Sequence, residues 1–415
     1  MTKIIPSRAK ALSAFAVLAV ASLSLAGCAA PTPKTPAGPL TLKIGTVLPQ
    51  TGNLAFLGPG EEAGVALATA DINAADKGIT IDVTSGDSGD TDNKAYVTEV
   101  PRVLEAGVSA IIGAASSGTS LQFIDQVVGS GVIQFSPANT SATFSTYDDK
   151  GLYFRTAPSD VLQGDVLGNL IAGDGNQTLG LIVQNDSYGT GLASAVKDAF
   201  TNAGGQVVAE SLYNVGDTNF DAQINEVTAA TPDAIVLITF EEIKTIAPDL
   251  IGSGYPADNL YYTDGNLAKY NDVFKPGLLK GGRGTLPGLD LSTMTEFTDR
   301  LNANWVEQGN KDLGGVFAYG AESYDAVVLL ALGALAAGST DGVDIAAQLV
   351  AISGGVDGGT KCFDFATCAD LLAAGTPIDY DGISGPITFN EVGDPTEASI
   401  GIYEFDNTNV PVLSE

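Results

Sequence analysis

Short β-branched runs separated by stretches of helical length recur through this chain and constrain its fold more than any other feature. Strands are expected at Leu42 to Leu48, Ile79 to Thr84, Val108 to Ile112 and Val132 to Phe135. Helices fit Pro59 to Ala75, Asn93 to Glu105 and Thr119 to Val128 between them. Apolar strands alternating with helices imply an α/β fold with a mainly parallel sheet covered on both faces. The rhythm restarts after "LYFRTAPSD" (152–160), with strands at Leu179 to Val183, Gln206 to Tyr213, Ala234 to Thr239 and Leu260 to Tyr262. Helices near Tyr188 to Ala203, Phe220 to Ala230 and Glu241 to Ile251 separate them. Two Rossmann-like lobes of similar plan follow, as a 415-residue chain leads one to expect.

Beyond Gly281-Gly282-Arg283-Gly284, helical periodicity runs from Met294 to Gln308 and from Val316 to Leu335 with no strand between. These helices are expected to pack back onto an existing lobe. The tail from Gly385 reads as two strands around a Gly-Asp-Pro turn, placed on the second lobe.

Composition narrows the chemistry. The 19 basic residues are outnumbered by 49 acidic ones, for a formal charge of -30, and a phosphate-tracking surface needs clustered Lys and Arg. Nucleic acid is therefore excluded as a partner. The chain has 0 His, which removes Ser-His-Asp and Cys-His hydrolases and the commonest metal ligand. Carboxylate-only catalysis stays formally open, but it needs two facing acids. No cofactor and no metal is expected.

Residues 1–27 have the order of an export signal: Lys3, Arg8 and Lys10, then the uncharged run Ala11 to Ala26. Leu25-Ala26-Gly27-Cys28 resembles the bacterial lipobox, which implies cleavage before Cys28 and a lipid on its sulfur. Residues 28–39, with "AAPTPKTPAGP", form a proline-rich tether. In an exported, oxidising setting Cys362 and Cys368 are expected to form a local disulfide without a redox role.

Two loops stand where ligands bind in open α/β sheets, beyond the carboxyl ends of strands. They are "GAASSGTS" (113–120) and Ser136-Pro137-Ala138-Asn139-Thr140. Helix N-termini with Ser and Thr hydroxyls can hold a carboxylate without any charged side chain. The plainer use of such residues is capping and turns. The acids Asp87, Asp90 and Asp92 suggest calcium but lack EF-hand spacing, and capping of the next helix is the favoured reading. Asp379-Tyr380-Asp381-Gly382 reads as a hinge or turn.

The run "LKIGTVLPQTGNLAFLGPGEEAGVALATADINA", the pair "SSGTS" and "SPANT", then "YFRTAPSD", "DSYGTGLASAVKDAFTNAGG", "PDAIVLITF" and "AYGAESYDAV" together resemble the solute-binding proteins of branched-chain amino acid ABC transporters, of the leucine/isoleucine/valine-binding type. The resemblance covers nearly the whole mature chain. It implies a type I periplasmic-binding fold, two lobes joined by three hinge crossings, with lobe 1 at 40–157 plus 287–380 and lobe 2 at 158–286 plus 381–415. In this family a Ser of the first loop and a backbone N–H and Thr of the second hold the ligand carboxylate, which match Ser117, Ala138 and Thr140. The acid facing the ammonium matches Asp264, where many relatives carry Glu; Asp264 otherwise reads as an Asp-Gly turn. Tyr188, Phe240 and Tyr319 match aromatic wall positions, and Leu57 stands where relatives often place an aromatic.

The resemblance implies a lipid-anchored extracytoplasmic monomer that closes on an amino acid, with a branched-chain side chain, and delivers it to ABC permease subunits. The same fold also serves receptors for amides, urea-like compounds and aromatic acids, or sensors for a signalling partner.

Overall fold

The structure, a computed structural model, describes residues 38–356 and 358–414. The expected signal segment, Cys28 and most of the proline-rich stretch lie outside the described residues, which belong to one compact unit.

The first sheet grows from β1 (Leu40–Leu48), α1 (Gly58–Ala75), β2 (Ile79–Asp87), α2 (Tyr96–Glu105), β3 (Ala110–Gly113), α3 (Ser117–Gly129), β4 (Ile133–Ser136) and β5 (Tyr153–Arg155). Its order is β2-β1-β3-β4-β5 and every pairing is parallel. The central strands β3 and β4 are buried at every position, as strands covered on both faces should be. Helix α3 begins where the Ser116 side chain accepts from the Thr119 N–H at 3.2 Å, an N-cap that fixes the first turn against the sheet.

The second sheet uses α4 (Asp160–Gly173), β6 (Thr178–Gln184), α5 (Ser187–Asn202), β7 (Gln206–Tyr213), α6 (Asp221–Ala229), β8 (Ala234–Ile238), α7 (Ile243–Gly252), β9 (Leu260–Tyr262) and β10 (Arg283–Pro287). After β10 come α8 (Thr295–Glu307), α9 (Gly320–Ala337), α10 (Gly342–Ile352), β11 (Thr360–Cys362), α11 (Phe365–Ala373), β12 (Ile378–Gly382), β13 (Gly385–Pro386), β14 (Ile400–Phe405) and β15 (Pro411–Leu413). The second sheet runs β15-β14-β10-β9-β8-β6-β7, and its two outer strands β14 and β15 are antiparallel additions.

Helices α8 to α11 bury their apolar faces in the core of the first sheet. Of the described helices, α9 alone is long and apolar enough to cross a membrane, yet 83% of that span is buried among the packed elements. Its apolar character on all sides reflects a central position. It starts later than the apolar pattern from Val316 predicts, because Tyr319 takes a left-handed conformation, φ 59°, just before it.

The chain passes between the sheets after β5, after β10 and before β14. The last passage corrects two expectations. Ile387 and Phe389 are buried in the first core, so the chain leaves lobe 1 beyond them rather than at 380/381. The tail also forms no hairpin between 385–389 and 400–405: β13 pairs with β12, whereas β14 joins β10 and β15. Nor is Asp379 to Gly382 a turn; it lies in β12, whose Ile378 and Tyr380 are almost wholly buried. Two apolar side chains near a glycine look alike for strand and turn, and the packing of Tyr380 decides. Cys362 and Cys368 are joined across β11 and α11, with Cα atoms 5.5 Å apart.

Candidate ligand site between the lobes

Five strand ends point at one place. The β3 end supplies Ala115 to Ser117 and the β4 end supplies Ala138 to Thr140. From the second sheet, β6 leads to Tyr188, β8 to Phe240 and β9 to Asp264. Leu57, from the loop after β1, and Tyr319, before α9, complete the ring. All eight sequence-predicted residues, Leu57, Ser117, Ala138, Thr140, Tyr188, Phe240, Asp264 and Tyr319, line one tightly closed cavity of about 10 Å³, together with Leu54, Ala115, Ser116 and Gly265. Each of the eight is buried, so the lobes are closed over it.

The first-lobe wall is neutral and rich in donors. Ser136 Oγ donates to the Ala114 carbonyl at 2.7 Å and accepts from the Asn139 N–H at 2.9 Å. Asn139 Nδ2 donates to the carbonyls of Ala114, 3.0 Å, and Ala115, 2.7 Å. These bonds tie the two loops into one rigid piece. Ser117 Oγ accepts from the Ser141 N–H at 3.3 Å, which leaves its own proton available to a ligand. With the capped N-terminus of α3 beside it, this wall suits an anion.

The second-lobe wall carries the charge. Asp264 Oδ1 accepts from the Tyr188 hydroxyl at 2.7 Å and from Gln163 Nε2 at 3.1 Å, and Oδ2 accepts from the Tyr319 hydroxyl at 2.8 Å. Burial pushes its pKa up, and the Tyr188, Tyr319 and Gln163 donors pull the other way. No Lys or Arg lines the cavity. A carboxylate held by three neutral donors in an enclosed site is a ready counter-charge for a ligand cation. Tyr188 and Phe240 stack with ring centres 5.2 Å apart. Gly265 permits this, because a Cβ there would meet the Phe240 ring at 2.6 Å.

Sequence reasoning missed two residues of this wall. Gln163, on α4, orients Asp264 while also donating to Thr285, at 3.2 Å to both its carbonyl and its hydroxyl. Asp160 is buried with neither carboxyl oxygen in hydrogen-bond geometry. Burial foremost and the Asp264 charge next raise its pKa well above the usual carboxylate range, with the nearby Thr140 hydroxyl opposing. Both lie in "RTAPSDVLQ", where an Asp after Ser reads only as a helix start; the spacing of Asp160 and Gln163, three apart on one helix face, was the available signal.

Asp87 and Asp90 serve the turns before α2 rather than its cap, which is Ala95 without a side-chain bond. Asp87 accepts from the N–H groups of Gln50, Thr51 and Gly89, and Asp90 from those of Asn53, Asp92 and Asn93. Among the described residues no group of His, Cys, Asp and Glu is arranged for a metal.

Two closed lobes with a polar-lined cavity at their facing strand ends define a ligand-binding receptor of the type I periplasmic-binding fold. The family model described as "Periplasmic binding protein" matches residues 41–374, and the chain belongs to that family. It is similar to the Leu/Ile/Val-binding protein homolog 3 of Brucella melitensis, 23% identical over 89% of this chain and 92% of that one. The chemotactic signal transduction system substrate-binding protein BasB of Halobacterium salinarum is 24% identical over 69% of this chain and 67% of the relative. Among solved structures, a leucine binding protein, LivK, from Thermotoga maritima superposes with a TM-score of 0.71 at 20% identity, covering 90% of this chain and 98% of that one.

Proposed function

We propose that this protein captures a free α-amino acid outside the cytoplasm and hands it to an ABC permease. One observation carries the proposal: neutral donors of lobe 1 and the buried carboxylate of Asp264 in lobe 2 face each other across a single cavity. A zwitterion is the ligand that satisfies both walls, its carboxylate toward Ser117, Ala138 N–H and Thr140 and its ammonium toward Asp264. Because each lobe binds a different end, ligand stabilises the closed form. The apolar wall of Leu57 and Phe240 suits a branched-chain side chain, and the relatives' names support that class.

The recognition chemistry calls for no bond to be broken. Anchoring through a lipid on Cys28 belongs to the same proposal, and recovery of the protein in the membrane fraction checks it. A second reading, a sensor that reports ligand to a signalling partner, is favoured by the likeness to BasB. An amide, a urea-like compound or an aromatic acid is the alternative ligand if the ammonium partner has no role.

Isothermal titration of the refolded, ligand-stripped protein against the common amino acids, urea, short amides and benzoate is the test. Tight one-to-one binding of leucine, isoleucine or valine is expected. Asp264→Ala is expected to weaken it by about tenfold or more, roughly 1.4 kcal/mol, as when a buried charge loses its partner. Binding of benzoate or urea alone, or unchanged affinity in the variant, removes the zwitterion clamp.

A further inference from the structure

The clamp has a neighbour. Leu57, Asp264 and Tyr319 line not only the closed cavity but also a second chamber of about 180 Å³. Most of that chamber is apolar: Phe56, Leu267, Leu286, Phe317 and Tyr403 contribute to it. One of its residues does not fit an aliphatic pocket. Glu322, on the first turn of α9, is 6% exposed, and its Oε2 atom has no hydrogen-bond partner. Its Oε1 atom faces Gly288, where a Cβ would come within 2.6 Å. A buried acid with an unused oxygen on a cleft wall is a candidate for ligand contact, because only its own backbone N–H opposes the burial that disfavours its ionised form.

The charges around it sharpen the chemistry. Asp325 and Glu61 are the acids that interact with it electrostatically, and no basic group is among the causes that shift it. At the chamber's rim stand exposed Lys269 and half-buried Asp290, which offset each other. With Asp264 assigned to the α-ammonium, the acid left over inside is Glu322, whose carboxyl burial keeps protonated until a cation faces it. A leucine side chain ends two bonds beyond its β carbon, whereas a lysine amine lies four bonds beyond. Because Leu57, Asp264 and Tyr319 are common to both linings, a group of that length leaving the clamp past Leu57 and Tyr319 would be directed at the chamber.

We propose that Glu322 makes this receptor accept, besides aliphatic amino acids, those bearing a second, distal amine. The inference rests on the zwitterion clamp read above, since the clamp sets which way the side chain leaves. The distal ammonium donates to Glu322 and the methylene stem lies along Phe317, Leu267 and Tyr403. Burial of that stem and pairing of the ammonium with the Glu322 carboxylate, which releases its proton to solvent on binding, act together.

The test is titration of the purified protein and of Glu322→Gln, which keeps the shape, with leucine, norleucine, lysine and ornithine. Lysine or ornithine is expected to bind one to one, and Glu322→Gln to weaken that binding by about tenfold or more while changing leucine and norleucine by less than about threefold. Norleucine separates the length of the side chain from its charge. If leucine or norleucine binds and neither basic amino acid does, the inference falls and the clamp stands. If lysine binds and Glu322→Gln leaves it unchanged, the chamber's charge has no role. Should no zwitterion bind at all, the clamp fails and the inference fails with it. If the variant does not fold, competition of lysine against bound leucine on the unaltered protein decides: displacement supports the inference and its absence overturns it.

Discussion

Gly118 sits on the first turn of α3, and a Cβ placed on it would come within 2.7 Å of Asp186 Oδ2 from the other lobe. Asp186 is the N-cap of α5, accepting from the Gly189 N–H at 2.8 Å, so one carboxylate serves a helix start in lobe 2 while lying against a helix start in lobe 1. On the proposed hinge opening this contact would be lost. Gly118→Ala is therefore expected to weaken ligand binding by about fivefold, or 1 kcal/mol, through overpacking of the closed state. Its ligand-free thermal midpoint should stay within about 1 °C of the parent, because the open form has room. Titration beside a melting curve separates the two, and a lowered ligand-free midpoint would mean ordinary misfolding. At this scale the hydroxyls after two strand ends are local patterns, whereas Asp264 by itself reads as an Asp-Gly turn and was singled out only by the likeness to the solute-binding family. The pairing of Tyr188 and Tyr319 on Asp264 was not legible, since residues 55 and 76 positions away from Asp264 meet only in the folded chain.

The elements that carry the site are held by a bond no local pattern announces. Arg155, at the end of β5, is fully buried and pairs with Asp394 at 2.6 Å. Its other nitrogens donate to the carbonyl of Ser141 at 2.8 Å and the hydroxyl of Ser145 at 3.1 Å, directly after the loop that offers Ala138 and Thr140. Asp394→Ala leaves that guanidinium unpaired and should cost about 3 kcal/mol or more of stability, read from the denaturation midpoint. Ligand affinity should fall as well, because the loop that offers Ala138 and Thr140 loses its brace; unchanged affinity would mean that the Ser136 and Asn139 bonds suffice to hold the loops. The same bond explains why the tail was misread. "GPITFNEVGDP" has the alternation of a strand and the turn residues of a hairpin, but its acid is claimed by an arginine 239 positions earlier, which keeps this stretch on lobe 1. The repeating strand and helix runs were legible because period and length are local; α10, α11 and β15 were missed because they are short and packed by distant partners.

Taken whole, the molecule holds an unusual set of protonated acids. Burial pushes Glu322 up to about 8 and half-buried Glu62 up to about 7, and raises Glu61 well above the usual range. The folded chain keeps protons on these groups where an unfolded chain, with values near 4.5, has released them. Their contribution to stability is complete below the unfolded value and is lost as pH rises through about 7 to 8. With 0 His in the chain, no imidazole obscures the trend. The ligand-free protein should therefore melt higher at about pH 5.5 than at about pH 8.5, by roughly 3 °C or more. Asp233, Asp312 and Asp406 have lowered values and act in the opposite sense, but all three are exposed and screened. A flat or reversed profile in differential scanning calorimetry would show that these acids ionise freely in the fold.

The chain enters the first sheet at Leu40, which pairs with Ile79 at the start of β1, whereas the cavity lies past the opposite ends of the strands. Nine residues of strand, about 30 Å, separate the two. A receptor held to a membrane through its N-terminus would thus carry its opening at the far pole from its point of attachment. Under the proposed delivery to a permease, offering both rims of that opening would require the globule to turn over relative to its point of attachment.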